Sequence, residues 1–126
     1  MRAVFTENAP KPAGHYAQAI VHNNTVYVSG QLAIDPKTGE KCQGSIEEET
    51  LQVLKNLAAI LEAAGSDITK VLKTTLFITD ADLWGQVNAI YGQFFGDHRP
   101  ARAAVPTKDL PFGFRIEIEA IATLTP

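Results

Sequence analysis

The chain has 126 residues and a net charge of −3, and 45% of its residues are apolar whereas 20% are charged. This length predicts one domain over residues 1–126 with one hydrophobic core, and the acidic balance excludes the basic footprint of a protein that binds nucleic acid or an anionic membrane. The single cysteine excludes an internal disulfide, and the apolar runs are too short for a membrane span. Both features favour a cytoplasmic location.

The N-terminal part of the chain predicts strands and a hairpin. The predicted elements are, in order, a strand over residues 2–5, an extended proline-rich loop over 7–14, and strands over 16–22 and 25–29. Asn23 and Asn24 form the hairpin turn, because asparagine tolerates a positive φ angle. Gly30 is expected to end the hairpin, and residues 35–39 to form a further turn.

A first helix is predicted to begin after Ser45. Ser45 and Glu48 have the spacing of a capping box, in which the serine hydroxyl accepts a hydrogen bond from the backbone three residues on. Residues at three- and four-residue spacing then predict one buried stripe, formed by Ile46, Thr50, Leu54, Leu57, Leu61 and Ala64. Gly65 is the expected C-terminal stop.

The second half predicts a strand, a second helix and two further strands. The strand covers residues 71–79, and Asp80 or Asp82 caps the helix that follows. The stripe of this helix is Trp84, Val87, Tyr91 and Phe94, and it ends at Gly96–Asp97. Two C-terminal strands joined by residues 106–111 complete the order, which predicts an α+β fold with two helices on one face of a mixed or antiparallel sheet.

Both faces of the predicted sheet carry apolar side chains. In the strand over residues 71–79 the two faces are Leu72, Leu76 and Ile78 against Val71, Thr75 and Phe77. In the last strand they are Ile116, Ile118, Ala120 and Ala122 against Arg115, Glu117, Glu119 and Ile121. Since two helices cover only one face, the other predicts an interface, and we expect an oligomer whose sheets pack together.

Arg102 and Glu119 are the main candidates for chemistry. Arg102 lies among small and apolar residues, so its guanidinium needs either an internal salt bridge, to Glu117 or Glu119, or a bound anion. Glu119 belongs to the polar side of its strand, which indicates either a solvated face or a carboxylate that moves a proton or orients a water. Together the two residues suggest a substrate that is a small acid, with a proton-transfer step.

Weaker candidates lie near the hairpin and in the second helix. Ser29 and Gly30 offer a hydroxyl and a bare backbone to a small polar ligand. Tyr16 at the start of a strand is either a packing residue or part of a binding site. Asn88 is either a surface residue of its helix or a polar group that needs a partner. The three histidines lack metal-ligand spacing, and Cys42 has no evident base nearby, so no metal site is expected and the thiol is interpreted as a bystander.

Several residue strings, in order and spacing, resemble the RidA/YjgF family of enamine/imine deaminases. These strings are residues 13–19 (AGHYAQA), 28–31 (VSGQ), 50–57 (TLQVLKNL), 73–80 (KTTLFITD), 87–91 (VNAIY), 94–95 (FF), 100–105 (PARAAV) and 116–122 (IEIEAIA). The resemblance therefore runs over nearly the whole chain.

The resemblance implies a chorismate-mutase-like fold (bacillus type), assembled as a homotrimer around a central barrel with three sites between subunits. The implied activity is hydrolytic deamination of reactive enamines and imines, such as 2-aminoacrylate/2-iminopropanoate and 2-iminobutanoate, to 2-keto acids and ammonia, without a metal or organic cofactor. Carried over by position, Arg102 would hold the substrate carboxylate and Glu119 would activate water. Tyr16 would close the pocket that Ser29 and Gly30 line, and Asn88 is grouped with these substrate-binding residues.

One position departs from the family's pattern: Ala104 stands where many members have a cysteine. The change leaves the deamination chemistry in place but bears on rate and substrate range. Alternative functions are a non-catalytic trimer that binds 2-keto acids, and an RNA-acting translation inhibitor or endoribonuclease, which the acidic composition disfavours. A chorismate mutase would rest on shared architecture alone.

Overall fold

The computed structural model describes residues 1–126 and contains six strands and two helices. The strands are β1 (Arg2–Val4), β2 (Ala19–His22), β3 (Thr25–Gln31), β4 (Val71–Ile78), β5 (Ala101–Pro106) and β6 (Ile116–Thr123). The helices are α1 (Ile46–Ala64) and α2 (Trp84–Phe95), and short 3-10 turns lie at Ile68–Lys70, Ala81–Leu83 and Pro111–Gly113. Neither α1 nor α2 has the length and apolar character that crossing a membrane requires.

The six strands form one mixed sheet in the order β1-β2-β3-β6-β4-β5. Only β4 and β5 are parallel, and α2 lies between them in the chain as the crossover that a parallel pair requires. Helix α1 packs on β3 and β6, and α2 packs against α1 and reaches β4 through a hydrogen bond of 2.7 Å between the Tyr91 and Thr74 hydroxyls. The predicted α+β class, with two helices against one sheet, is confirmed.

Local signals define α1 as expected. The Ser45 hydroxyl accepts a hydrogen bond from the Glu48 amide at 3.1 Å, and Gly65 ends the helix in the left-handed region with φ of 93°. All six residues of the predicted stripe are buried. Two polar residues, Glu49 and Asn56, are buried on the same helix, which hydrophobic periodicity did not indicate.

The start of α2 differs in detail from the prediction. The Asp80 carboxylate caps the 3-10 turn, where it accepts from the Asp82 amide at 2.9 Å, and Leu83 stands at the N-terminus of the helix proper without a side-chain cap. Phe95 is buried as well as Val87 and Tyr91, whereas Phe94 of the predicted stripe is only partly buried against the same core.

Two register shifts explain where the strand predictions were wrong. Gly30 does not end the hairpin: β3 continues to Gln31, with a bulge in its pairing to β6 after Val28. A second shift after Val71 reverses the predicted sides there, so that Val71 is 1% exposed and Leu72 is 51% exposed. A bulge inserts one residue and thereby reverses the alternation beyond it, which a strict period of two cannot anticipate.

The remaining alternation of the sheet is as predicted. Ile116, Ile118, Ala120 and Ala122 are buried under the helices, whereas Glu117, Glu119 and Ile121 face the opposite side, here called the open face. The open face also carries exposed or partly exposed apolar side chains, among them Tyr27, Phe77 and Val105. An apolar face that no element of this chain covers is the feature from which the sequence predicts an interface.

Candidate active site

A surface cavity of about 600 Å³ opens beside the bulge of β3. Its walls come from the N-terminal loop, the end of β3, the open face of β6 and the 3-10 turn before β6. Four of the six candidate residues line it, namely Tyr16, Ser29, Gly30 and Glu119. The fold therefore brings together residues that are about a hundred positions apart in the chain.

The bulge places Ser29 and Gly30 against the carboxylates of β6. Val28 pairs with Ala120 and Gln31 with Ile118, so both Ser29 and Gly30 stand opposite one residue, Glu119. The Ser29 hydroxyl donates to the carbonyl oxygen of Ala17 at 2.6 Å, which leaves its oxygen free to accept from a ligand. Two residues opposite one define a β-bulge, and bulges near active sites change the direction in which a side chain points.

Gly30 has no room for a side chain. A Cβ atom there would lie 2.9 Å from Cδ of Glu117 and would clash with the adjoining carboxylate oxygen. The glycine therefore admits the Glu117 carboxylate to the backbone of β3 at the floor of the cavity. Sequence reasoning singled out Gly30 for its bare backbone, and the neighbour that requires the glycine is Glu117.

Glu117 and Glu119 point from the open face into the same cavity. Desolvation raises the pKa of Glu117, and the negative charge of Glu119 raises it further. Neither carboxylate forms a salt bridge within the chain. Residues two apart on a strand are separated by about 6.5–7 Å, which leaves room for a small molecule or a water near both groups.

Tyr16 lies at the rim of the cavity. It belongs to the loop before β2 rather than to the strand predicted from residue 16, since β2 begins at Ala19. Its hydroxyl accepts from the Ala13 amide at 3.2 Å, and its ring is half exposed. A half-exposed aromatic ring held by one hydrogen bond can change its contacts when a ligand enters.

Gln18 fixes the loop that carries Tyr16. Its side chain is buried, accepts from the Thr6 amide at 2.7 Å, and donates to the carbonyl oxygens of Thr6 and Pro10 at 3.0 Å each. The proline-rich segment is thus tied across the start of β2 by one amide group. Sequence analysis missed this residue, although a glutamine beside the apolar start of a strand is a signal that a buried polar partner is needed.

Arg102 and Asn88 lie elsewhere, at the edge strand β5 and the neighbouring helix α2. Arg102 donates to Oδ1 of Asn88 at 2.9 Å, and its guanidinium carbon lies 4.6 Å from the ring centroid of Trp84 and 4.9 Å from that of Tyr91. Stacking on aromatic faces suits the planar guanidinium and holds it in one orientation. The alternative of a salt bridge to Glu117 or Glu119 is wrong, because Arg102 forms neither.

The sequence contained a signal for this arrangement. Trp84, Asn88 and Tyr91 follow one another at steps of four and three residues, so they share one face of α2. Asn88 is exposed, which confirms the interpretation that it is a surface residue of its helix. It also has a hydrogen-bond partner, Arg102, so the second interpretation holds as well. The predicted buried stripe includes Trp84 and Tyr91 without Asn88, whereas these two rings also hold the arginine.

Arg102 and Glu119 lie on opposite faces of the sheet. Arg102 pairs with Thr74, which is buried under the helices, whereas Glu119 pairs with the adjacent Thr75 on the open face. Adjacent strand residues point to opposite sides. One small molecule therefore cannot contact both side chains of a single chain.

Ala104 lines a second, smaller cavity of about 280 Å³ on the side of Arg102. Trp84 and Pro106 are among the other residues of its mostly apolar wall. Ala104 pairs with Leu76, so it points to the same side of the sheet as Arg102 two residues earlier. A cysteine at this position would lie near the guanidinium.

The other reactive side chains are outside both cavities. No group of three or more histidine, cysteine, aspartate or glutamate side chains is arranged to hold a metal ion. Burial and the carboxylates of Asp35, Glu40 and Glu48 raise the pKa of the Cys42 thiol. A raised pKa disfavours the thiolate, which agrees with the interpretation of Cys42 as a bystander.

Comparison with known proteins gives the family. A family model described as "Endoribonuclease L-PSP" matches residues 6–124. The chain belongs to the RidA/YjgF family. A 2-iminobutanoate/2-iminopropanoate deaminase of Rattus norvegicus is 47% identical over 125 residues, which are 99% of this chain and 91% of the rat protein.

Two further relatives carry other descriptions. A RutC family protein of Pyrococcus horikoshii is 50% identical over 94% of each chain. A solved structure described as a candidate endoribonuclease, from Thermotoga maritima, superimposes with a TM-score of 0.97 at 52% identity and covers 100% of this chain and 99% of its own. RidA/YjgF members thus share this mixed sheet with two helices while their descriptions name different activities.

Proposed function

We propose that the protein is a cofactor-independent deaminase that hydrolyses enamines and imines bearing a carboxylate, such as 2-iminopropanoate and 2-iminobutanoate, to 2-keto acids and ammonia. The observation that carries the proposal is the cavity that collects Tyr16, Ser29, Gly30 and Glu119. The high identity to a named imine deaminase over almost the whole chain supports the same activity.

Arg102 binds the substrate carboxylate in this proposal. Its guanidinium uses one N–H group on Asn88 and is stacked on Trp84 and Tyr91, so the remaining N–H groups are oriented before a substrate arrives. A guanidinium presents paired donors that match the two oxygens of a carboxylate. Orientation of the acid in advance lowers the entropic part of the barrier.

Glu119 activates the water in the hydrolysis. The imine carbon is electrophilic already, so the step requires a positioned water and proton transfers rather than a covalent intermediate. The imine reacts with its nitrogen protonated, and the Glu119 carboxylate takes a proton from water as the water oxygen adds to the carbon, which gives a neutral carbinolamine. Glu119 then returns this proton to the nitrogen and takes the proton of the carbinolamine hydroxyl as the C–N bond breaks. The protonated imine and water thus become the 2-keto acid and ammonia, and Glu119 passes the remaining proton to the ammonia.

A complete site needs two chains. Because Arg102 and Glu119 lie on opposite faces of one sheet, the arginine that reaches a given cavity comes from a second copy. We propose a homotrimer in which the apolar open faces line a central barrel and each cavity lies at a boundary between subunits. Such head-to-tail contacts join two different surfaces and close into a ring.

The activity can be tested with 2-aminoacrylate that a serine dehydratase generates from serine. The purified protein should accelerate pyruvate and ammonia release above the rate in buffer, and Glu119→Gln should lower turnover by about 10²–10⁴-fold, as expected for loss of a general base. Binding of pyruvate without any acceleration would instead indicate the non-catalytic 2-keto-acid sensor.

A second candidate is RNA cleavage, which the descriptions of the family model and of the Thermotoga maritima structure favour. The net charge of −3 and the two carboxylates in the cavity oppose it, because phosphate contacts supply most non-specific affinity for nucleic acid. The discriminating assay is cleavage of a labelled single-stranded RNA by the same preparation. Cleavage that Glu119→Gln leaves intact, with no imine hydrolysis, would favour the nuclease.

A further inference from the structure

Phe112 has an unfavourable backbone conformation for its residue type. Three residues other than glycine have a positive φ angle, and two of them, Asn23 and Asn24, are of the type that tolerates it. Phe112 has φ of 61° and ψ of 18°. A bulky residue in the left-handed region is strained, and such strain is concentrated at functional sites.

Contacts from two directions hold Phe112 in this conformation. Its carbonyl oxygen accepts from Nε2 of Gln43 at 2.8 Å, and Nζ of Lys41 lies 4.9 Å from the centroid of its ring. The ring of Phe114 meets it edge-on, with 6.4 Å between centroids and an interplanar angle of 88°. Lys41 of the loop before α1 and Phe114, two residues before β6, thus both contact the ring.

Core packing does not account for the strain. The residue remains 54% exposed, and it does not belong to the buried apolar cluster under the helices. If the loop needed only a left-handed residue, glycine or asparagine would fill the position without strain. Neither core packing nor the turn therefore requires the aromatic ring at this position.

The ring stands in the wall of the candidate active site. Phe112 lines the same cavity as Glu119, with Leu32, Ile34 and Pro111 as further apolar parts of the wall. In the single chain the cavity measures about 600 Å³, which the substrate would share with the arginine of a second copy. In the proposed site the polar groups of the substrate contact the carboxylates and the arginine. The apolar wall is then available to contact the side chain of the substrate.

We propose that Phe112 is a specificity-determining residue, whose ring forms the wall of a side-chain pocket for imines derived from amino acids with larger aliphatic or aromatic side chains. This inference rests on the proposed deaminase function and refines it. An apolar side chain that leaves water for the ring contributes binding free energy in proportion to the area buried. The methyl group of 2-iminopropanoate offers the ring little apolar area to bury, whereas a larger aliphatic or aromatic side chain offers more.

The test compares three imines, generated from alanine, leucine and phenylalanine by an L-amino-acid oxidase. Phe112→Asn keeps a residue that tolerates the left-handed backbone but removes the ring, and Phe112→Tyr keeps the ring. Phe5→Asn is the matched control, since Phe5 is an exposed phenylalanine outside the cavity. We expect wild type to prefer the larger imines, and the ratio of kcat/KM for the leucine and alanine imines to fall about tenfold or more in Phe112→Asn only.

Two further readouts keep the inference separate from loop stability and from the activity itself. The melting temperature of Phe112→Asn should not fall, because the strain is relieved, whereas a purely structural ring predicts a lower melting temperature with unchanged specificity. Calorimetry with the product 4-methyl-2-oxopentanoate should show weaker binding to Phe112→Asn, with pyruvate binding unchanged. If Phe112→Asn kept the wild-type preference among both imines and 2-keto acids, the proposed role of Phe112 would be overturned. If wild type hydrolysed no imine but still bound the larger 2-keto acid selectively through Phe112, only the proposed deaminase activity would be overturned.

Discussion

At the scale of single residues, the candidate site combines one pre-oriented cation with two carboxylates that lack a cationic partner in the same chain. The indole and phenol rings hold the Arg102 guanidinium on one side of the sheet. On the other side, Glu117 and Glu119 share a cavity, to which the N-terminal loop adds the ionisable Lys11 and Tyr16. Of these groups the Arg102 guanidinium is complementary to the carboxylate of a small acid, whereas Glu117 and Glu119 are the groups that can accept protons.

Glu117 should make stability depend on pH. Because desolvation and Glu119 raise the folded-state pKa of Glu117, the folded protein holds this proton more tightly than the unfolded chain does. Its contribution is therefore present below the unfolded pKa, about 4.3, and is lost as the pH rises through the folded pKa. Glu117→Gln keeps the shape of the side chain but cannot ionise. In urea unfolding at pH 7 the variant should therefore have a higher free energy of unfolding than wild type, and the difference between the two proteins should become small at pH 3.

The control for this prediction is Glu62→Gln, an exposed carboxylate on α1. It should show no such change of stability between the two pH values. A loss of stability at pH 7 in Glu117→Gln would mean that the ionised carboxylate has a stabilising partner, which contradicts the environment described for the cavity.

At the scale of elements, a buried carboxylate connects α1 to the strand that bears the two site carboxylates. Oε2 of Glu49 accepts from the backbone amides of Arg115 at 2.6 Å and Ile116 at 3.2 Å, and Oε1 accepts from Nε of Arg115 at 3.0 Å. These bonds fix the start of β6, from which the positions of Glu117 and Glu119 follow. The carboxylate is fully buried, so its hydrogen bonds are not shared with water.

Glu49→Ala should destabilise the protein by about 2–3 kcal/mol, because it leaves the backbone amides of Arg115 and Ile116 without their acceptor. Glu47→Ala is the matched control, because Glu47 lies in the same first turn but is exposed, and it should cost at most about 1 kcal/mol from the helix dipole. Denaturant unfolding of the two variants gives the comparison. Equal destabilisation would show that Glu49 acts only through the helix dipole.

The success of the sequence predictions also varied by element. Helix α1 was predicted in its bounds and stripe, because a capping box, a 3.6-residue period and a terminal glycine are local signals. The bulges after Val28 and Val71 were missed, since they depend on pairing with the distant β6. The burial of Glu49 was missed for the same reason, because its partner Arg115 is 66 positions away.

At the scale of the whole molecule, the sequence indicated the residues of the site but not their distribution. One cavity is lined by Tyr16, Ser29, Gly30 and Glu119, whereas Arg102 of the edge strand β5 contacts Asn88 of helix α2. Residue identity predicts chemical capacity, whereas the side of the sheet depends on register. The trimer, the central barrel and the roles of these residues stay predictions, and the uncovered apolar face and the separation of Arg102 from Glu119 are the observations that motivate them.

The separation of the two residues leads to the most direct test of the central claim, that the deaminase site is built from two chains. Arg102→Ala and Glu119→Gln should each be nearly inactive in pyruvate release from 2-aminoacrylate. If each site takes Arg102 from one copy and Glu119 from the next, hybrid oligomers refolded from an equal mixture should regain about a quarter of wild-type activity, since about one boundary in four pairs both intact residues. A mixture that remains as inactive as its components, in oligomers shown by native mass spectrometry to contain both variants, would contradict the shared site.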